Sequence, residues 1–118
     1  MMNQSDLLNE LSENASLNEV QEYIRTVVKI RGFDKQPVQE TMLLLLEEMG
    51  ELAKSVRKTA TKMSIDVDKL QSYDTVESEA ADVFFVLTAV CNQLNINLFK
   101  ALKEKEQQNS KRNWSFER

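Results

Sequence analysis

The chain has 118 residues, 42% of them hydrophobic, with 15 basic and 19 acidic side chains and a net charge of −4. That length suits one small domain with a modest core, and the acidic balance argues against a nucleic-acid polymer or an anionic membrane as the main partner. No histidine occurs, which removes the commonest general base and metal ligand and leaves any chemistry to carboxylates, Lys, Arg and hydroxyls.

Two Gly and one Pro are few chain breakers and favour a helical protein. Cys91 is alone in an apolar stretch, so no intramolecular disulfide is expected and a reducing, cytoplasmic setting fits. No basic stretch followed by an apolar run opens the chain, so no signal peptide is expected. The longest apolar runs fall short of a membrane span. Charge is uneven: residues 1–20 carry four acids and no base, whereas 100–118 carry six bases against three acids.

Residues 1–15 read as a polar arm, a short helix or a frayed segment with a small cluster of Leu7, Leu8 and Leu11. Ser16 and Glu19 then form a capping-box pattern, and Val20, Ile24, Val27 or Val28, and Ile30 follow at helical spacing, predicting a helix from about Leu17 to Ile30. The segment RGFDKQP at 31–37 breaks it with Gly32 and offers Pro37 as the first residue of the next helix. In that helix Val38, Met42, Leu45, Met49, Leu52 and Val56 make one stripe that ends near Thr59–Lys62. Residues 62–74 have mixed polarity and read as a loop with a helical turn. Asp74 or Thr75 is expected to cap a further helix whose stripe is Val76, Val83, Leu87, Val90 and Leu94. Asn97 is expected to cap a last helix from Leu98 to about Asn109. The whole is all-α and four-helix-bundle-like, one domain over 16–114 with a tail at 115–118.

The two central helices are apolar on more than one face. Leu43, Leu44 and Leu46 extend the stripe of one, and Phe84, Phe85 and Val86 that of the other. A chain this short cannot cover both helices on all sides, so a homo-oligomer, dimer or tetramer, is expected. Folding of the N-terminal arm over one of these faces is the alternative.

Acids interrupt both helices. LLLLEEMGELA carries Glu47, Glu48 and Glu51, and EAADVFFVLTAV carries Glu79 and Asp82. Residues three apart share a helix face, so Glu48 with Glu51 and Glu79 with Asp82 form two pairs. At 100° per residue Glu48 lies about 80–90° from the centre of its apolar stripe. Glu79 falls within its own stripe, with Asp82 at the border. As surface acids, Glu79 and Asp82 suit the first turns of a helix, where the macrodipole favours them. That account does not reach Glu48 and Glu51, which sit mid-helix. Four acids converging on a shared seam without a basic partner would repel one another. A hard divalent cation resolves this, and oxygen donors without His or Cys suit Mg²⁺ or Mn²⁺ rather than Zn²⁺. A di-iron bundle normally needs Glu-x-x-His and does not fit.

These motifs resemble those of the MazG-like nucleotide pyrophosphohydrolases, within the all-α NTP pyrophosphatases. EExxE at Glu47, Glu48 and Glu51 is followed, after 27 intervening residues, by ExxD at Glu79 and Asp82. RGFD at 31–34 and the ending Lys105-x3-Asn109-x2-Arg112-x-Trp114 are similar to the family's flanking patterns. The related phosphoribosyl-ATP pyrophosphohydrolases typically carry Tyr-His after the second motif, where this chain has DVFF.

The resemblance implies cleavage of a nucleoside triphosphate between its α and β phosphates, with nucleotide-pool house-cleaning as a role. Glu48, Glu51, Glu79 and Asp82 would be the Mg²⁺ ligands, with Mn²⁺ a substitute. Glu47 or Glu48 would accept a proton from the attacking water. Lys54, Arg57, Lys58, Lys105, Asn109 and Arg112 are candidates for phosphate contacts, the last three either reaching the triphosphate from a neighbouring subunit or forming a solvated helix end. Lys54, Arg57 and Lys58 equally suit a helix C-terminus. Phe33 either stacks on a base or plugs a helix corner, and Trp114 either serves the site or anchors the tail. Phe84 and Phe85 read as core or interface, and Cys91 as packing. Gly50 suggests close approach of another helix. A helical interaction module with solvated acids, and a carboxylate metal-binding protein without hydrolase activity, are the competing readings.

Overall fold

Five α-helices and one short 3-10 segment make up the described residues, 2–72 and 75–117, of the computed structural model. They are α1 (Gln4–Glu10), α2 (Leu17–Ile30), α3 (Val38–Ala60), the 3-10 segment (Val67–Ser72), α4 (Val76–Gln93) and α5 (Leu98–Asn109). No strand occurs among the described residues. The protein is all-α, as its few breakers and helical periodicity imply.

The helix starts follow from capping chemistry. Asn3 and Ser16 each close a capping box, with Asp6 and Glu19 respectively. Thr75 caps α4 by accepting from the Ser78 amide, and Asn97 caps α5 by accepting from that of Lys100. The other cap considered for α4, Asp74, lies outside the described residues. Pro37 stands one residue earlier than expected: it is the N-cap of α3, and Val38 is the first helical residue. Its side chain offers no acceptor.

Two helix ends share one device. Gly32, at φ 82°, follows α2 in the left-handed region; its amide bonds to Lys29 O and the Phe33 amide to Val28 O. Asn95, at φ 56°, follows α4 in the same way, with its amide on Asn92 O and the Ile96 amide on Cys91 O. Both are Schellman closures, which satisfy carbonyls that the helix leaves open. At the second one, α5 turns away from α4 by 96°.

The main packing is antiparallel, α3 against α4, with α2 laid across α4. The core is small: Ile24, Val27, Leu45, Ala89, Val90 and Cys91 are its buried hydrophobic residues. The face of α3 that meets α4 differs from the expected one. Thr41, Leu45 and Ser55 are buried with Glu48 and Leu52 half-buried between them, while Met42, Met49 and Val56 of the predicted stripe are exposed. On α4, Leu87 and Leu94 are likewise exposed, and Thr88 and Asn92 are buried instead; Ile30 at the end of α2 is also exposed. Both central helices are apolar nearly all round, so hydrophobic periodicity does not choose the inward face; the helices each one meets do, α4 for α3 and both α3 and α2 for α4. Gly50 is also not explained within the chain, since a Cβ added there would meet no atom within 4 Å.

The result is an open shape. The radius of gyration is 17.6 Å, against roughly 13–14 Å for a compact domain of this length. Met42, Leu46 and Met49 on α3, Phe84 and Leu87 on α4, and Phe99 and Leu102 on α5 remain 40% or more exposed.

Candidate metal centre

Three carboxylates meet across the seam between the two central helices. Glu48 projects from α3, and Glu79 and Asp82 project from adjoining positions of α4. One oxygen from each lies within 4.8 Å of the others. Glu79 is 5% exposed, Glu48 half-buried and Asp82 exposed, so the group runs from the core to the surface. Antiparallel packing produces this. Thr41 and Leu44 of α3 share a cavity with Phe85 and Ala89 of α4, and one turn further along α3, one turn back along α4, the acids face one another.

The donor set consists only of carboxylate oxygens, the chemistry of a hard divalent cation. Glu48 and Glu79 are not isolated: each takes part in a further interaction, as do Lys54, Ser55 and Lys58. A carboxylate as deeply buried as Glu79 needs such compensation.

The other residues singled out in the sequence are dispersed. Glu51 stands outside the three-carboxylate group; its side chain is 54% exposed and its Oε2 lies 4.0 Å from Lys54 Nζ. Glu47 is exposed on α3. Lys58 is half-buried, whereas Arg57 is committed to the following loop, donating to Ser64 O at 2.8 Å. Lys105 and Asn109 belong to α5, whose main contact is with α2. Asp82 is eleven residues from the end of α4, so α4 runs about 16 Å beyond it before the corner that leads into α5. Arg112 follows in the exposed tail. Trp114 donates from Nε1 to Asn109 O at 2.9 Å and folds the tail back on the end of α5. Phe33 is 53% exposed and lines an apolar cavity beside α4. Arg31 stacks on Phe85, with its guanidinium 5.2 Å from the ring centre.

A buried polar network was not anticipated. Gln21 of α2 is 5% exposed and donates to Asn92 Oδ1 at 2.9 Å and to Ile96 O at 2.6 Å, while its own Oε1 accepts from the Leu98 amide. Asn92 also accepts from Arg25 Nη2 at 3.1 Å. These bonds hold the α4–α5 corner onto α2. The signal was present in the sequence: Gln21 lies in phase with Ile24 and Val27 at three-residue steps, a polar residue on the buried face.

An all-helical chain that gathers buried and half-buried carboxylates on facing helices is, as a class, a carboxylate-site helical protein. Residues 36–113 match the MazG nucleotide pyrophosphohydrolase domain, which spans α3, α4 and α5 and contains every acid of the cluster. The chain belongs to that family. No curated protein and no solved structure matches it.

Proposed function

We propose that this protein is a Mg²⁺-dependent nucleoside triphosphate pyrophosphohydrolase, converting a (d)NTP to the (d)NMP and pyrophosphate in the cytoplasm, with removal of unwanted nucleotides as its role. The observation that carries the reading is the convergence of Glu48, Glu79 and Asp82 within 4.8 Å, inside the region that matches the family.

Glu48, Glu79 and Asp82 would hold the cation, with Glu51 one turn further along α3 as a fourth donor; Mn²⁺ would substitute. When bound, the cation supplies charge neutralisation for the triphosphate and a lowered pKa for coordinated water. The chain's own groups do the rest. Glu79, buried at the base of the cluster, fixes the depth of the site. Asp82, at its mouth, is positioned to receive the cation from solvent. Glu47, or one of the cluster carboxylates in a second role, accepts the proton of the attacking water. Lys54 and Lys58 lie on α3 beyond the acids, one and a half to three turns on, where their ammonium groups offset phosphate charge.

The functional unit is a homo-oligomer, dimer or tetramer. The exposed apolar stripes of α3 and α4, together with the large radius of gyration, support this reading. A second subunit also gives Lys105, Asn109 and Arg112 a route to the triphosphate, since α5 leads away from the acids of its own chain.

The test is pyrophosphate release from a panel of ordinary and modified (deoxy)nucleoside triphosphates with Mg²⁺. Turnover of at least one member, abolished by chelation, is expected. No turnover of any member by well-folded protein would sink the enzyme reading.

A further inference from the structure

The N-terminal arm and α2 form a hairpin. Gln4 at the start of α1 accepts from Nε of Arg31, the C-cap of α2, at 2.8 Å, and α1 runs back from there toward Glu19. Between the two lies a groove of about 250 Å³. Leu7 and Leu11 of the arm and Tyr23 and Thr26 of α2, all half-buried, form its floor. Glu10, Glu19 and Glu22, all exposed, form its rim, and no Lys or Arg lines it among the described residues. Arg25 pairs with Glu22 at 3.2 Å and offsets one of the three carboxylates, so the rim stays negative.

The other end of the chain carries the complement. Residues 110–118 hold three bases, Lys111, Arg112 and Arg118, and one acid, Glu117, around Trp114 and Phe116. Trp114 is 72% exposed and Phe116 wholly so. An aromatic side chain buries roughly 150–250 Å² when it is covered, so a ring left entirely in water is an unused source of binding. The groove and Phe116 both lie outside residues 36–113, the stretch that matches the family, and neither adjoins the carboxylate cluster.

Phe116 does not reach the groove of its own chain. The start of α5 is fixed to the first turns of α2, where the Leu98 amide donates to Gln21 Oε1 and Asn97 Nδ2 to Asn18 Oδ1. Its 12 residues then carry the chain about 18 Å onward. Trp114 is held at that far end by its bond to Asn109 O, and two further residues span at most about 7 Å. The groove borders the same first turns of α2, so the ring falls short of it.

We propose that the C-terminal tail of one copy docks in the α1–α2 groove of a second copy. Phe116 enters between Leu7, Leu11 and Tyr23, and the basic side chains around it lie over the carboxylate rim. Apolar contact with the ring supplies affinity, and opposite charge selects this tail over a neutral or acidic segment. Two copies that exchange tails fill both grooves about a twofold axis, which closes the assembly. The contact is independent of the nucleotide reading and uses no residue of the exposed α3 stripe.

The experiment is photo-crosslinking of the full chain with p-benzoylphenylalanine in place of Phe116. Irradiation is expected to give a covalent dimer of twice 13.6 kDa, with the link mapped by mass spectrometry to residues 7–26. Glu10→Lys in the same chain should lower the dimer yield about fivefold at subsaturating protein, the effect of reversing one charge on the rim. Adding Lys111→Glu should restore the yield. Glu10 and Lys111 are both exposed, so these variants keep the fold. No covalent dimer, a link within one chain, a link mapped outside the groove, or a yield that Glu10→Lys leaves unchanged would overturn the proposal.

Discussion

Glu48 of α3 and Glu79 of α4 are 31 positions apart in the chain, yet their carboxylate oxygens come within 4.8 Å across the helix seam. Glu79 is 5% exposed at that point, and Asp82 completes the group one turn along α4. Two acids held this close favour any arrangement that places positive charge between them, and oppose any that removes it.

Asp82→Asn tests the cluster at its solvent end. Asp82 is exposed, so the substitution leaves the metal-free fold intact, or slightly more stable through relief of like-charge repulsion. In wild-type protein a saturating divalent cation should raise the melting temperature by several degrees, since ligand at a hundred times Kd adds about 2.7 kcal/mol. Asp82→Asn is expected to abolish that rise and to abolish turnover. Glu51→Gln should cost less of both, because Glu51 faces Lys54 and solvent. Marked destabilisation of metal-free Asp82→Asn, seen by thermal melting, would make the cluster structural.

Leu46→Glu probes the exposed stripe of α3. Leu46 is 58% exposed within one chain and lies in line with Met42 and Met49. For a monomer the change would be close to neutral. Self-association through this stripe instead predicts that sedimentation equilibrium shifts toward the mass of a single 13.6 kDa chain. An unchanged mass would exclude the stripe from the interface.

Gln21→Ala removes the centre of the polar network at the α4–α5 corner. It leaves Asn92 and the Ile96 carbonyl short of a donor and the Leu98 amide without an acceptor. A cost of about 1–3 kcal/mol is expected from the unsatisfied groups. Denaturant unfolding measures it, and hydrogen exchange should show faster opening at the start of α5 than at the middle of α4.

Cys91 gives a pH dependence with a definite sign. Burial raises its thiol pKa above the ordinary value of 9.0. The protonated form is thus favoured by folding, and that stability is fully present below about pH 9 and declines as the pH rises through the folded-state value. Native protein at pH 8 should react slowly with an alkylating reagent, and unfolded protein quickly. Equal rates would show that the thiol is accessible.

The local parts of this structure were legible because they depend on neighbours in sequence. Ser16 with Glu19, Thr75, Asn97 and Gly32 each act within a few residues, and every one ends or begins a helix as its chemistry requires. The acids were legible for a related reason: a three-residue step places two carboxylates on one helix face wherever the helix packs. The inward faces were not legible. Met42, Met49, Leu87 and Leu94 are apolar and helical in phase, yet they are exposed, while Thr41, Ser55, Thr88 and Asn92 are buried.

The sequence by itself therefore determined an all-helical chain, its helix ends and an acidic pair on each central helix, because propensity, capping and periodicity are local. Only the tertiary structure decided that Glu48 meets Glu79 and Asp82 across the seam while Glu51 lies beside Lys54, and that Gln93 stands between an apolar and a polar recess. Both depend on the rotation and register of α3 against α4. A helix that is apolar on several sides has nearly equal ways to pack, and the choice among them is made by the helices it meets.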